Sequence, residues 1–238
     1  MSKSPRKVLV VTPHPDDAEI GCGGTVGKWT KEGCEVVYVV CTNGDKGTSD
    51  PKMTSAAIAE IREKEQLAAA QILGVKEVVF LRYPDGELED TRKFRGELVR
   101  QIRIHRPEVV ITTDPFRKSF YLHRDHRITG QVTLDAVFPY SRDRLHYPEH
   151  MAEGLKPHKV SEVYLGGSEE SDTFVDISET IELKIKAIGC HLSQVSNSEG
   201  KPFQDWVREW AKETGKEQGM EYAEGFRRFN LSRIDEEE

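Results

Sequence analysis

The sequence predicts an α/β fold: a mostly parallel sheet with helices on both faces. Three observations predict it. Short β-branched runs (KVLVVT, EVVYVVC, VVITT) alternate with longer segments whose apolar residues recur at helical spacing. Polar clusters follow the first and fourth of the predicted strands, where sheets of this kind gather ligands. The 238 residues are enough to bury a real core, and a single domain spanning 1–238 is expected.

In chain order, Lys7–Thr12 reads as a buried strand and residues 24–32 as a helix that Gly33 can stop. Residues 35–41 form a second buried strand, and 42–50 a loop of turn formers. A long helix follows over 54–73, with Ile58, Ile61, Ala68, Ala69 and Ile72 on helical spacing. Thr54 or Ser55 can cap it and Gly74 ends it. A third strand lies within 75–81, a helix over Arg92–His105 stops before Pro107, and Val109–Thr113 is the fourth strand. Beyond Asp135 the pattern loosens. Strands are expected near 160–165 and 173–177, helices over 178–191 and 203–213, and a last helical turn or two over 222–229. The core is therefore expected at about 7–135, with a substrate-shaping part at about 136–230.

The charge balance narrows the partners. Lys and Arg number 34 against 41 Asp and Glu, a net charge of -7, which argues against nucleic acid and against an anionic membrane surface. The apolar run at 8–11 is too short for a signal segment or a membrane span, and no later stretch approaches ~18 apolar residues. Cys22, Cys34, Cys41 and Cys190 form no CxxC pair, so a reduced, cytoplasmic protein is expected. The acidic residues 235–238 read as a solvated tail.

Two constellations carry chemistry. His14-Pro15-Asp16-Asp17-Ala18-Glu19 sits at the end of strand one. His14 and Asp17 are three apart, so a tight turn can bring both onto one cation, and imidazole with carboxylate suits zinc or another divalent first-row metal. Asp16 is then left to act on water. The plainer reading is a polar turn that closes the strand and caps the next helix. His123-Arg124-Asp125-His126 lies some ten residues past strand four. Its two histidines are again three apart, and Asp125 can orient His123. The plainer reading here is a charged helix start. Together, His14, Asp17 and His126 give the three protein ligands expected of a catalytic zinc.

Gly21-Cys22-Gly23-Gly24-Thr25 invites two rival readings. A dinucleotide fingerprint requires glycine at position 26, which is Val26, and no acidic residue follows strand two to hold a ribose. A methyl-donor-dependent methyltransferase loop should adjoin the strand, and HPDDA intervenes. The glycines are better placed to let a helix pack closely beneath the metal site. Among weaker candidates, Arg62 and Glu65 can form a surface pair with Lys64, or Arg62 can point into the cleft and hold a substrate oxygen. Asp85-Gly86 reads most simply as a turn. His105, His146, His150 and His158 read as structural or exposed, His191 as able to reach the cleft rim, and Trp206 with Trp210 as packing.

HPDDAEIGCGGT, TNGDKGT, IREKEQLAAAQILGV, YPDG and HRDH, in that order, resemble the PIG-L/LmbE-like zinc-dependent N-acetylglucosaminyl deacetylases. The likeness runs from about residue 8 to 134, with a looser echo through VDIS and KIKAIGCHLSQ to EGFR at 224–227. It implies a Rossmann-like three-layer α/β/α sandwich with one Zn2+ per chain at the strand ends. By the same resemblance His14, Asp17 and His126 are the metal ligands. Asp16 is the general base, His123 the general acid or oxyanion stabiliser with Asp125 in support, and Arg62 a substrate-binding residue. The implied partner is a GlcNAc-type small molecule that loses its acetyl group, and homo-oligomers, trimers or hexamers, occur among members. Two departures stand out: Arg124 where proline is common, and Ala18 between the aspartates and Glu19.

Overall fold

Seven strands form one sheet in the order β3-β2-β1-β4-β5-β7-β6. The structure, a computed structural model, describes residues 4–118, 122–195 and 202–232, so the acidic tail at 235–238 lies outside the described residues. The strands are β1 (Lys7–Thr12), β2 (Glu35–Thr42), β3 (Glu77–Tyr83), β4 (Val109–Thr113), β5 (Glu162–Gly166), β6 (Thr173–Asp176) and β7 (Ala223–Asn230). The first five pair in parallel, and β7 runs antiparallel between β5 and β6. The helices are α1 (Asp17–Lys31), α2 (Ser55–Leu73), α3 (Arg92–His105), α4 (Arg124–Asp135), α5 (Pro148–Ala152), α6 (Ile181–Ile188), α7 (Leu192–Val195) and α8 (Phe203–Lys216).

Strand periodicity sorts side chains into two layers. Leu9, Val11, Val37 and Val39 pack with Phe94, Leu98 and Ile102 of α3 and Val132 of α4. Val8, Val10, Val36 and Tyr38 pack on the other face with Val26 and Trp29 of α1 and Ala69, Ala70 and Leu73 of α2. A third apolar cluster joins α6 to α8 through Ile181, Ile185, Ile188, Val207 and Ala211. β1 lies between β2 and β4, so the strand order reverses at β1. The crevice at the carboxyl ends of β1 and β4 is the switch point where such sheets bind ligands.

Two expectations are corrected. Residues 222–229 are not helical: they enter β7, with Phe226 buried in one layer and Phe229 packed on the other. The charges Glu224, Arg227 and Arg228 masked the strand period of two. The first helix begins at Asp17, seven residues before the expected start. Two of its glycines are required by close neighbours: a Cβ at Gly24 would lie 2.7 Å from Ile177, and one at Gly27 would lie 2.8 Å from Leu183. This close approach gives the glycine run a packing role in place of a nucleotide loop. The helix kinks at Cys22, where φ is -147°.

Candidate active site

The site is assembled from the segment after β1 and the start of α4. After β1 the chain turns sharply, with Asp16 at φ 103°, a left-handed backbone that costs an aspartate of order 1–3 kcal/mol. Neighbours hold it there. Gln66 of α2 accepts the Asp16 N–H at 3.0 Å, and Arg62 reaches the Asp16 carboxylate at 3.2 Å. The turn brings His14 back onto Asp17, which accepts the His14 backbone N–H at 2.9 Å. On the other side His123 caps α4: its Nδ1 accepts the Asp125 N–H at 3.2 Å.

The carboxylate of Asp17 lies between two imidazoles, 3.1 Å from Nδ1 of His14 and 3.3 Å from Nε2 of His126. The far nitrogen of each ring is anchored. Nε2 of His14 faces Asp85 at 3.1 Å and Asp125 at 3.2 Å, and Nδ1 of His126 faces the Thr113 hydroxyl at 3.3 Å. Carboxylates behind one ring and a hydroxyl behind the other are what a metal-binding histidine needs to fix its tautomer. The donor atoms of His14, Asp17 and His126 all lie within 4.8 Å of one another, and so do those of His14, Asp85, His123 and Asp125.

The electrostatics agree with a cation. Burial works against charge on His14, yet hydrogen bonds to Asp125, Asp17 and Asp85 overcome it and push the imidazole up to about 12. Asp17 resists its own burial because His126 and His14 hold it well below the usual carboxylate range. Burial drives His126 down to about 4, so its ring is neutral and able to ligate. The carboxylates that draw a proton onto His14 would equally hold a divalent ion, and the donor set fits one. Burial pushes the Asp16 carboxyl up to about 6, against the pull of Arg62.

All seven expected site residues converge, although two do so differently from the simplest picture. Arg62 is 4 % exposed and does not pair with its helix neighbours. Its guanidinium also donates to the Pro15 carbonyl at 2.6 Å and the Gly44 carbonyl at 3.1 Å, while Glu65 binds Ser193 and Lys64 binds Glu60. Asp125 gives His123 a backbone N–H, and its carboxylate takes His14 and the N–H groups of Gly86 and Leu88.

Sequence reasoning passed over four residues. Asp85 is no mere turn, since it holds His14; its place just past β3 was the available signal, the same strand-end rule that marked HPDD. Glu19, Gln66 and His191 form a buried chain behind Asp16: Gln66 donates to Glu19 at 3.0 Å, and His191 Nε2 meets Glu19 at 3.1 Å. His191 is fully buried and does not reach the rim. Trp206 and Trp210, expected to pack, are 48 % and 39 % exposed and line a cavity of about 720 Å³ that also touches Asp16, Asp17 and His126. His150 and His158 are structural as expected, on Arg103 and the Pro107 carbonyl.

Known proteins resemble this chain in sequence and in fold. The sequence model of PIG-L, GlcNAc-PI de-N-acetylase, matches residues 9–137, the stretch that carries both constellations. The chain belongs to the PIG-L family. Diacetylchitobiose deacetylase of Thermococcus kodakarensis is 37% identical over 222 residues, covering 93% of this chain and 82% of the relative. A probable N-acetyl-alpha-D-glucosaminyl L-malate deacetylase 2 of Bacillus anthracis is 29% identical, covering 87% and 91%. The solved N,N'-diacetylchitobiose deacetylase from Pyrococcus horikoshii, in complex with its inhibitor MPG, superposes with a TM-score of 0.90 at 36% identity, covering 96% of this chain and 85% of that one. These three relatives are named deacetylases, which are hydrolases. Among the described residues no helix is long and apolar enough to cross a membrane.

Proposed function

We propose that this chain is a zinc-dependent N-deacetylase that hydrolyses the N-acetyl group of a GlcNAc-containing small molecule, releasing acetate and a free amino sugar. The observation that carries this reading is the Asp17 carboxylate set between Nδ1 of His14 and Nε2 of His126, with Asp16 next in the chain. The diacetylchitobiose deacetylases, alike over most of their length, make a short chitooligosaccharide the first substrate to test.

His14, Asp17 and His126 would hold the ion. When bound, zinc supplies Lewis acidity, lowering the pKa of water and polarising a carbonyl oxygen. Asp16 accepts the proton of the attacking water, and a carboxyl raised to about 6 is a competent base near neutrality. Arg62 and Gln66 fix the angle from which Asp16 acts. Because Nδ1 of His123 accepts the Asp125 N–H, its other nitrogen carries the ring proton. That N–H stabilises the oxyanion as the amide carbon becomes tetrahedral. The C–N bond then breaks and the amine takes a proton.

Residues 7–135 carry this chemistry and residues 136–230 shape the substrate site within one domain. The four cysteines are free, in keeping with a cytoplasmic enzyme. The test is amine release from GlcNAc, N,N'-diacetylchitobiose and GlcNAc conjugates of inositol and malate, using zinc-loaded protein and metal analysis. One zinc per chain with release from at least one substrate is expected. No release from any of them would overturn the reading, and unchanged zinc and activity in His126→Ala would overturn the ligand set.

A further inference from the structure

The metal-ligand group has two unlike flanks. One is ionic: the Asp85 backbone N–H donates to the Asp45 carboxylate at 3.0 Å, Lys46 binds the Asp85 carbonyl and Glu87, and Arg62 lies beside Asp16. The other is the cavity of about 720 Å³ onto which Asp16, Asp17 and His126 open. Part of its wall is hydrocarbon and thiol, from Val10, Ile111 and Cys22, all buried, while Thr12, Thr112, Thr113, Arg117, Glu169 and Glu209 are among the residues that add polar atoms around it. Its outer end is marked by the exposed Trp206 and Trp210. Ile20 of α1 lies along the same wall.

An acetyl methyl is about the size of a water, whose share of liquid volume is ~30 Å³. The cavity is more than an order of magnitude larger, within the range of pockets that enclose whole ligands. Against Val10, Ile20, Cys22 and Ile111 the hydroxyls of a sugar ring would lie without partners, and burying them there is unfavourable. An alkyl chain makes no such demand and gains from every methylene it removes from water.

We propose that this cavity is an acyl-chain pocket and that the enzyme removes N-acyl groups longer than acetyl. The chain of the acyl group runs from Asp17 and His126 toward Trp206 and Trp210, and the amino sugar sits on the ionic flank. This rests on the amide-hydrolase reading above and extends it to the acyl side of the scissile bond. The chemistry balances as a hydrolysis: the amide C–N bond breaks, the water oxygen joins the acyl carbon, and the products are a fatty carboxylate and the amine, which takes the water proton.

The experiment measures kcat/KM by amine release from glucosamine bearing N-acyl chains of two, four, six, eight and ten carbons, with the zinc-loaded full chain. A parallel series uses alkyl glycosides of GlcNAc with the same chain lengths. Expected is a rise of up to about fourfold per added methylene over part of the acyl series, with no such rise among the glycosides. Gly21→Leu sharpens the test. Gly21 lines the cavity, and a Cβ there meets nothing within 4 Å. The leucine should fill the pocket, leaving acetyl hydrolysis near wild type and lowering octanoyl hydrolysis at least tenfold. Trp210→Ala, at the outer end, should affect the eight- and ten-carbon chains alone. Acetyl cleavage with activity falling from the four-carbon chain onward would overturn the pocket and leave the deacetylase reading intact. A rise in the glycoside series alone would assign the cavity to an aglycone and overturn the acyl reading. Equal loss on all chains in Gly21→Leu would also overturn it. No amine from any chain would defeat the hydrolase reading itself.

Discussion

Two of the buried ionic clusters that touch helix α1 are balanced in opposite ways. Behind the helix, Glu224 of β7 accepts N–H groups from Gly24 at 2.9 Å and Thr25 at 2.7 Å, and Lys184 at 2.7 Å. Lys184 also donates to the Ile20 carbonyl at 2.8 Å. One cation meets one anion there, and the remaining hydrogen bonds go to backbone. At the start of the helix, Asp17, Asp85 and Asp125 surround His14, and Asp17 also faces His126. That cluster has more anion than its neutral rings can answer, so it pulls a proton onto His14. A closed ionic balance marks a strut, and an open one marks a place for a visiting cation.

Four substitutions probe that contrast, in descending order of effect. Lys184→Met leaves Glu224 buried without its counter-ion and should cost about 3–5 kcal/mol in a denaturant titration, with zinc stoichiometry unchanged. A stability loss under 1 kcal/mol would mean that this pair is not a strut. Asp16→Asn should keep zinc and lower kcat roughly 10²–10⁴-fold. Loss of zinc with residual turnover would exchange the roles of Asp16 and Asp17. Asp85→Asn weakens the anchor behind His14 and should lower zinc affinity on the order of 10–100-fold in a competitive chelator titration. An unchanged affinity would confine Asp85 to the loop.

His191→Gln gives the smallest effect, about 1 kcal/mol, the difference between a charged and a neutral hydrogen bond. Burial opposes charge on His191, but its bond to Glu19 and the nearby Asp16 and Glu65 raise it above the ordinary imidazole range. A raised folded value means that the stabilisation is full below the unfolded imidazole value and is lost as pH climbs through the folded one. Stability curves measured between pH 5 and 9 should therefore converge for the two proteins at the alkaline end. Parallel curves would show that His191 is not charged when folded.

How much of this the sequence disclosed follows from distance along the chain. His14 with Asp17, and His123 with His126, are three residues apart, so a local turn was enough to suggest each pair. Asp85 contacts His14 across 71 positions and His191 contacts Glu19 across 172, and no local pattern encodes such meetings. The parallel strands were legible because their runs are buried on both faces and read as continuous apolar stretches. β7 was not, because Arg227 and Arg228 interrupt its apolar alternation and only pairing with β5 and β6 turns that stretch into a strand. Arg62 was legible as a residue type but not as a contact, since the carbonyls it meets belong to residues 15 and 44.

The place of β7 bears on how the molecule is made. All the proposed metal ligands have been synthesised by residue 126, yet Glu224, which holds the Gly24 and Thr25 amides, comes far later in the chain. A chain emerging from its N-terminus can pair β1, β2 and β4 early, but α1 has no partner for those amides until β7 inserts between β5 and β6. The helix that begins at the metal site is thus completed by a segment synthesised long after the ligands themselves. Chains cut short before residue 223 would carry every ligand and still lack the frame that aims them.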